Sequence, residues 1–356
     1  MDPRWHEVAD VLTRYSTAVQ QGERVMIAMV EVETFPLAHA VYEACIKAGA
    51  FPQVQFLSET LRHSLLKHGN EKQRSWVPAI ESYGMHWADV YFGLRGASNP
   101  YLMHDIPAPI LATNQAAQGK VSTLRWQKTR WCLVRLPNAS LAQQAHTDLR
   151  TLEEMFFAAC LLDYEAASAE WHEQARRLGG TERVRIVAGA ETDLEFSVAG
   201  RKWLVFDGRI NMPDGEIYTA PVNDTLNGRI HFDLPGVFGG KLLHDIRLEW
   251  RAGQLVHASA ATNEDYLWRI LKTDSGASRL GEFAFGLNPH INRFCMDILY
   301  DEKIGGTIHL ALGRAYPECG GENQSSIHWD LVKDLRGGGT VYVDDAPVLQ
   351  DGRLLI

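Results

Sequence analysis

Five residues in the second half of the chain have side chains that could do acid–base or metal chemistry. They are Glu216 in NMPDGEIYTAP, Glu282 in LGEFAFGLNP, His309 in GGTIHLALG, and His328 with Asp330 in SSIHWD. Each lies in an apolar stretch bordered by glycine or a turn, where a buried polar group has to be paired or put to use. Imidazole and carboxylate together suit borderline divalent ions such as Zn²⁺, Co²⁺ or Mn²⁺, and a carboxylate can bridge two of them. His328-Trp329-Asp330 is an H-x-D unit, so in a strand both polar side chains leave the same face and can reach one ion or two adjacent ones. Taken singly, each residue has a plainer reading. The H-x-D unit reads as part of a surface strand, His309 as a hydrogen-bonded core histidine, and the two glutamates as solvated turn residues.

Tyr316 follows His309 in HLALGRAYP. The order MPDGEIYTAP, SRLGEFAFGLNP, HLALGRAYP and NQSSIHWD, with Glu216 and Glu282 66 residues apart and His309 a further 27 on, resembles the M29 family of metallo-aminopeptidases, of the aminopeptidase T and aminopeptidase S type. The resemblance covers most of residues 183–356 and, more loosely, the first half through its opening helix and RVMIAMV strand. It implies that Glu216, Glu282, His309, His328 and Asp330 hold two divalent ions, Zn, Co or Mn. Glu282 then takes the bridging or base-proximal place, and Tyr316 is the catalytic tyrosine. The implied reaction is attack of a metal-activated water on the carbonyl that follows the N-terminal residue of a short peptide, with the Tyr316 phenol donating to the oxyanion. The resemblance also implies a homodimer.

The sequence departs from the family between Tyr316 and His328, where PECGGENQSSI replaces a longer loop. That shortening admits a first alternative, hydrolysis of small-molecule amides on the same metal site. A second alternative is a mononuclear Fe(II) ring-cleaving dioxygenase of the 2,5-dihydroxypyridine 5,6-dioxygenase type, whose fold is similar and whose iron is held by two histidines and an aspartate. In those enzymes the Glu282 position is a histidine and the Glu216 ligand is not kept, so the carboxylate-rich set favours hydrolysis. Nearby, Asn288 and His290 in the GLNPH turn are candidates for orienting a ligand. Cys319 and Glu322 belong to a stretch that reads as a mobile surface loop.

The elements that must carry these residues differ between the two halves. Residues 5–20 have apolar positions at helical spacing, Arg24–Val30 reads as a buried strand, Leu37–Lys47 as a helix ending at Gly49, and Pro52–Leu57 and Ala88–Leu94 as further strands. That alternation predicts a mostly parallel sheet in an α/β domain. Residues Thr151–Leu178 read as the longest helix, closed by Gly179-Gly180. Beyond it come short β-branched and aromatic runs at Arg183–Val187, Leu194–Val198, Lys202–Phe206, Gly228–Phe232 and Asp245–Trp250. The expected division is an N-terminal mostly parallel α/β domain over residues 1–180 and a β-rich α+β metal-binding catalytic domain over 181–356.

Composition bounds the partners. Lys and Arg total 35 against 44 Asp and Glu, a net charge of −9, which gives a nucleic-acid backbone no basic face to bind. No apolar run reaches the roughly 18 residues needed to cross a bilayer, so no membrane partner is expected. The opening MDPRWHEVAD lacks the basic-then-apolar pattern of a signal peptide, and the five scattered cysteines form no C-x-x-C pair. A cytoplasmic enzyme is expected. Gly239-Gly240-Lys241 and Gly337–Gly339 lack the frame of a phosphate-binding loop.

Overall fold

The computed structural model describes residues 2–97, 99 and 101–356, and the chain divides into two compact units. One comprises Met1–Tyr164 with Gly208–Pro213, the other Glu165–Asp207 with Asp214–Ile356. The first is built on a parallel sheet in the order Phe51–Leu57, Arg24–Val30, Val90–Arg95, Arg130–Arg135 and the short Asn211–Met212. Parallel strands are covered on both faces, which is why RVMIAMV and VYFGLR are nearly continuous apolar runs. Helix Phe35–Lys47 joins the first two strands in sequence, with Pro36 in its first turn and Gly49 beyond its end at φ +76°, a left-handed position that glycine occupies without strain.

Two sequence expectations change here. The pattern over 151–178 is two helices, Leu149–Cys160 and Tyr164–Leu178, and the break falls at Asp163, a residue type that favours helix starts over interiors. The longest helix among the described residues is instead Ala108–Lys128, of 21 residues. Its buried positions, Asn114, Ala117, Val121 and Arg125, make no clean apolar stripe, so hydrophobic periodicity gives it no signal. Among the described residues no helix is long and apolar enough to cross a membrane.

The second unit joins an eight-stranded and a five-stranded antiparallel sheet through one core. Phe196, Ile230, Leu248 and Trp250 come from the larger sheet, and Phe283, Phe285, Leu310 and Leu331 from the smaller. Phe283 packs edge-on to Phe196 with ring centroids 5.4 Å apart. Burying each such side chain stabilises the unit by about 1.5–3 kcal/mol.

The smaller sheet carries the five candidate residues Glu216, Glu282, His309, His328 and Asp330. Its order is His328–Asp334, Thr307–Gly313, Leu280–Gly286, Glu216–Thr219 and Leu204–Phe206. Alternation sends Phe283, Phe285, Ile308, Leu310, Leu312, Trp329 and Leu331 into the core and leaves Glu282, His309, His328 and Asp330 on the other face. Leu280 is also a core residue, although in a regular strand it would share a face with Glu282. A bulge between the two resolves the conflict. Leu280 pairs with Leu312 and Glu282 with Ala311, so Gly281 is the extra residue that shifts the phase of the strand. A Cβ on Gly281 would stand 2.4 Å from the Gly313 carbonyl oxygen, so only glycine fits the bulge.

Candidate metal centre

The strand register brings the five candidate residues onto one face. Glu282 lies opposite Ala311, which lies opposite Asp330; His309 lies opposite Ala284, His328 opposite Gly313, and Glu216 opposite Gly286. Small residues at 284, 286, 311 and 313 leave the space between the polar side chains open. His328 and Asp330 project together as the H-x-D spacing predicts, with His328 Nε2 3.3 Å from Asp330 Oδ1.

Glu282 stands between the two histidines. Its Oε1 is 3.7 Å from His309 Nε2 and its Oε2 is 3.2 Å from His328 Nε2. The ligand atoms fall into two clusters, Glu282–His328–Asp330 and Glu216–Glu302–His309, each with its donor atoms within 4.8 Å of one another. Glu302 was not among the sequence candidates, nor was its neighbour Lys303. Their DEKIGG setting has the polarity of an ordinary surface turn, and only its position just before the His309 strand hinted otherwise.

The backbone explains how that turn reaches the site. Asn288 N–H donates to the Lys303 carbonyl at 2.9 Å, Gly305 N–H to the Asn288 carbonyl at 3.0 Å, and Gly306 N–H to the Gly286 carbonyl at 3.2 Å. A Cβ on Gly286 would lie 2.3 Å from the Ile304 carbonyl oxygen, so the close crossing requires glycine there. The Asn288 side chain also donates to the Asp214 carbonyl at 2.9 Å, tying the Glu216 and Glu302 segments to one buried amide. His290 is exposed and joins this network only through its backbone N–H, which donates to Asn288 Oδ1 at 3.1 Å.

Lys303 is fully buried, with Nζ 2.9 Å from Glu216 Oε2 and 3.5 Å from Asp214 Oδ1, and it also pairs with Glu302. One ammonium faces three carboxylates. Burial pushes the Glu216 carboxyl up to about 7 and Glu302 up to about 8, because Lys303 offsets only part of their desolvation. Burial alone would lower Lys303; its three acidic neighbours outweigh it and hold the ammonium well above the usual lysine range. Burial would likewise lower both histidines, but Glu282 and the other nearby carboxylates raise His309 to about 9, and Asp330 and Glu282 raise His328 to about 11. Against its own burial, Asp330 is held at about 2 by His328, and Glu282 below the usual carboxylate range by both imidazoles.

His328 provides the sharpest test of whether a cation suits this site. Its Nδ1 lies 2.7 Å from the Arg314 carbonyl oxygen, which can only accept, so that nitrogen carries a proton. A neutral ring then turns its Nε2 lone pair towards the Glu282 and Asp330 oxygens. Lone pair and carboxylate repel unless a proton or a metal ion lies between them. Asp330 Oδ1 and His309 Nδ1 are buried without a hydrogen-bond partner. The donors are all oxygen and nitrogen, and once both imidazoles give up their extra protons, as metal ligands must, Lys303 alone cannot offset the buried carboxylates and a divalent cation fits the cluster.

Tyr316 packs on this cluster, its ring edge-on to His328 at 5.2 Å and to Tyr218 at 5.5 Å. Burial and the adjacent carboxylates raise its phenol, which therefore stays protonated and able to donate. Tyr218 stacks on Phe206 at 4.6 Å and completes an apolar wall with Ala284, Ala315 and Cys319. The stretch after Tyr316 is not a loose surface loop. Pro317–Cys319 form a 3₁₀ turn, Cys319 is buried with its thiol donating to the Tyr316 carbonyl, and Asn323 donates to the Gly276 and Gly313 carbonyls. Glu322 points outward and pairs with Arg201 at 3.3 Å.

Comparison with known proteins gives the arrangement its context. Residues 1–353 match the family described as Thermophilic metalloprotease (M29). The chain belongs to the M29 metalloprotease family. Membership in it implies use of divalent metal. Aminopeptidase 2 of Geobacillus stearothermophilus is 26% identical over 96% of this chain and 92% of its own length. Aminopeptidase T of Thermus thermophilus is 25% identical over 98% of both. The solved structure of wild-type AmpT from Thermus thermophilus superposes with a TM-score of 0.88, at 22% identity over 99% of both chains. A 2,5-dihydroxypyridine dioxygenase from Pseudomonas putida shares the fold more distantly, with a TM-score of 0.58 and 14% identity over 99% of this chain and 96% of the other. The mixed α/β architecture of this M29 chain is thus that of a solved relative.

Proposed function

We propose that this M29 protein is a two-metal aminopeptidase that removes the N-terminal residue of short peptides. Its matched relatives named aminopeptidase support the reaction. The observation that carries the two-metal reading is Glu282, whose two oxygens face two different histidines, each in its own cluster of oxygen and nitrogen donors. Glu216, Glu302 and His309 would hold one ion, and His328 and Asp330 the other, with Glu282 between them. Zn²⁺, Co²⁺ and Mn²⁺ all suit that donor set. Two such ions, when bound, lower the pKa of a shared water and polarise the scissile carbonyl.

The chain's own groups supply the rest. Lys303 and Asn288 fix the Glu216 and Glu302 segments, so the carboxylates are in place before substrate arrives. The His328 bond to the Arg314 carbonyl fixes which ring nitrogen faces the cluster. Tyr316, kept neutral by burial, donates its phenol proton in a hydrogen bond to the oxygen that gains charge as the carbonyl becomes tetrahedral. The excess of buried carboxylates gives a free α-amine an electrostatic reason to bind here, which a blocked amine lacks.

We assign the catalytic domain to residues 181–356 and the α/β domain to residues 1–180, a division by sequence texture that differs from the two compact units at residues 165–180 and 208–213. Five free, buried cysteines suit a reducing compartment, which supports a cytoplasmic location. Exposed Phe51, Val54 and Phe56 on an edge strand, with Trp76, Ile80 and Tyr83, are apolar surface that a homodimer would cover. The test is hydrolysis of matched free and N-acetylated dipeptides by metal-loaded protein without oxygen. Cleavage of the free-amine peptides alone supports the reading. Cleavage of blocked amides alone selects the small-molecule amidase, and turnover only with Fe²⁺ and O₂ on a hydroxylated pyridine selects the dioxygenase.

A further inference from the structure

A cavity of ≈ 170 Å³ opens beside the edge strand of the metal-bearing sheet, and His328 and Asp330 form part of its wall. The rest of that wall is mostly apolar, with Phe238, Phe294, Met296, Ile298, Trp329 and Val332 prominent. Three separate segments build it: the hairpin Gly236–Phe238 with Lys241–Leu243, the stretch following the Glu282 strand, and the His328 strand itself. Phe238 is held edge-on against Trp329 at 5.5 Å, which fixes the hairpin side. Val237 and Ile298, 37% and 39% exposed, leave an apolar rim facing solvent. An apolar cavity of about 150 Å³ is large enough to hold benzene. Tyr316, Tyr218 and Lys303 do not line this one, so it adjoins the cluster through His328 and Asp330 alone and is separate from the tyrosine wall.

We propose that this cavity receives the side chain of the substrate's N-terminal residue, and that it selects branched aliphatic and phenyl side chains. The proposal rests on the aminopeptidase reading above. An exopeptidase of this kind has a single residue on the amine side of the scissile bond, so one pocket next to the metal ligands is enough to read it. His328 and Asp330 belong to both the cluster and the cavity wall, so a side chain seated in the cavity leaves its own backbone carbonyl beside the donors. A Gly side chain leaves the pocket unfilled. A Glu side chain brings a carboxylate against apolar walls and the Asp301 and Asp330 carboxyls.

The experiment measures kcat/KM for Gly-Gly, Glu-Gly, Leu-Gly, Phe-Gly and Trp-Gly with metal-loaded wild type, Ile298→Trp and Phe238→Ala. Thermal transition and metal content are recorded for each. Wild type should favour Leu-Gly and Phe-Gly over Gly-Gly and Glu-Gly by at least about 100-fold, since each missing methylene costs about tenfold or more in such a pocket. Ile298→Trp, which narrows the rim, should reduce the Phe-Gly to Gly-Gly ratio about tenfold. Phe238→Ala, which widens the cavity, should raise Trp-Gly relative to Leu-Gly. Equal rates for Glu-Gly and Leu-Gly in wild type, or ratios unchanged in both folded variants, overturn the pocket while leaving the aminopeptidase intact. Failure of wild type to hydrolyse any of the five overturns the aminopeptidase reading itself.

Discussion

Lys303 sets how much positive charge the centre still requires. Its ammonium is fully buried among Asp214, Glu216 and Glu302, and replacing it with methionine removes the charge while keeping the length of the side chain. Breaking a buried pair by deleting one partner costs about 3–5 kcal/mol. Lys303→Met should therefore lower the thermal transition of metal-free protein markedly, and added Zn²⁺ should recover more of the loss than it adds to wild type. Denaturation with and without chelator measures both. At Tyr316 the expectation is kinetic. Removing the hydroxyl in Tyr316→Phe should cut kcat about 10²-fold or more with little change in KM or metal content, the signature of an interaction made mainly in the transition state. At this scale the sequence was informative where polar residues interrupt apolar runs, as His309 does in IHLAL. It was silent for Glu302 and Lys303, because a charged turn looks the same whether it faces water or folds over a strand end.

The strand of Glu282 shows how one glycine aims a candidate ligand. Gly281 absorbs the bulge that lets Leu280 stay in the core while Glu282 faces the metal donors. In Gly281→Ala the new Cβ would meet the Gly313 and Arg314 carbonyl oxygens at 2.4 and 2.5 Å, so the two strands must part or the bulge must move. Either outcome should lower stability by about 1–3 kcal/mol and weaken metal retention more than a surface Gly→Ala control does. Equilibrium dialysis against a metal buffer would show it. Strand positions in both halves were readable from apolar runs bounded by turns. The bulge was not, since a local phase shift leaves no trace in a seven-residue pattern. The break at Asp163 was missed for a related reason: Ala, Glu and Leu carry high helix propensity across it, and one N-cap residue type is a weak signal against them.

For the molecule as a whole, the histidine shifts link metal binding to pH. In metal-free protein His309 is raised from its ordinary 6.5 to about 9, so it is protonated at neutral pH and stabilises the fold against the surrounding carboxylates. A raised folded-state pKa gives stability that is complete below the unfolded value and is lost as pH climbs through the folded one. Metal-free protein should thus lose stability from about pH 6.5 to 9 through His309 and on towards about 11 through His328, whereas with metal bound the slope between about pH 6.5 and 9 should flatten. Melting curves with and without chelator across that range check the sign. Metal uptake near pH 7 should release protons for the same reason. The central claim, that the two clusters on either side of Glu282 would each hold an ion, is tested most directly by titrating metal-free protein with Co²⁺ and following release of leucine from Leu-Gly under nitrogen. The account predicts that Co²⁺ binding saturates at two per chain and that full activity needs both, with no requirement for oxygen. Saturation of binding and activity at one ion per chain would contradict it.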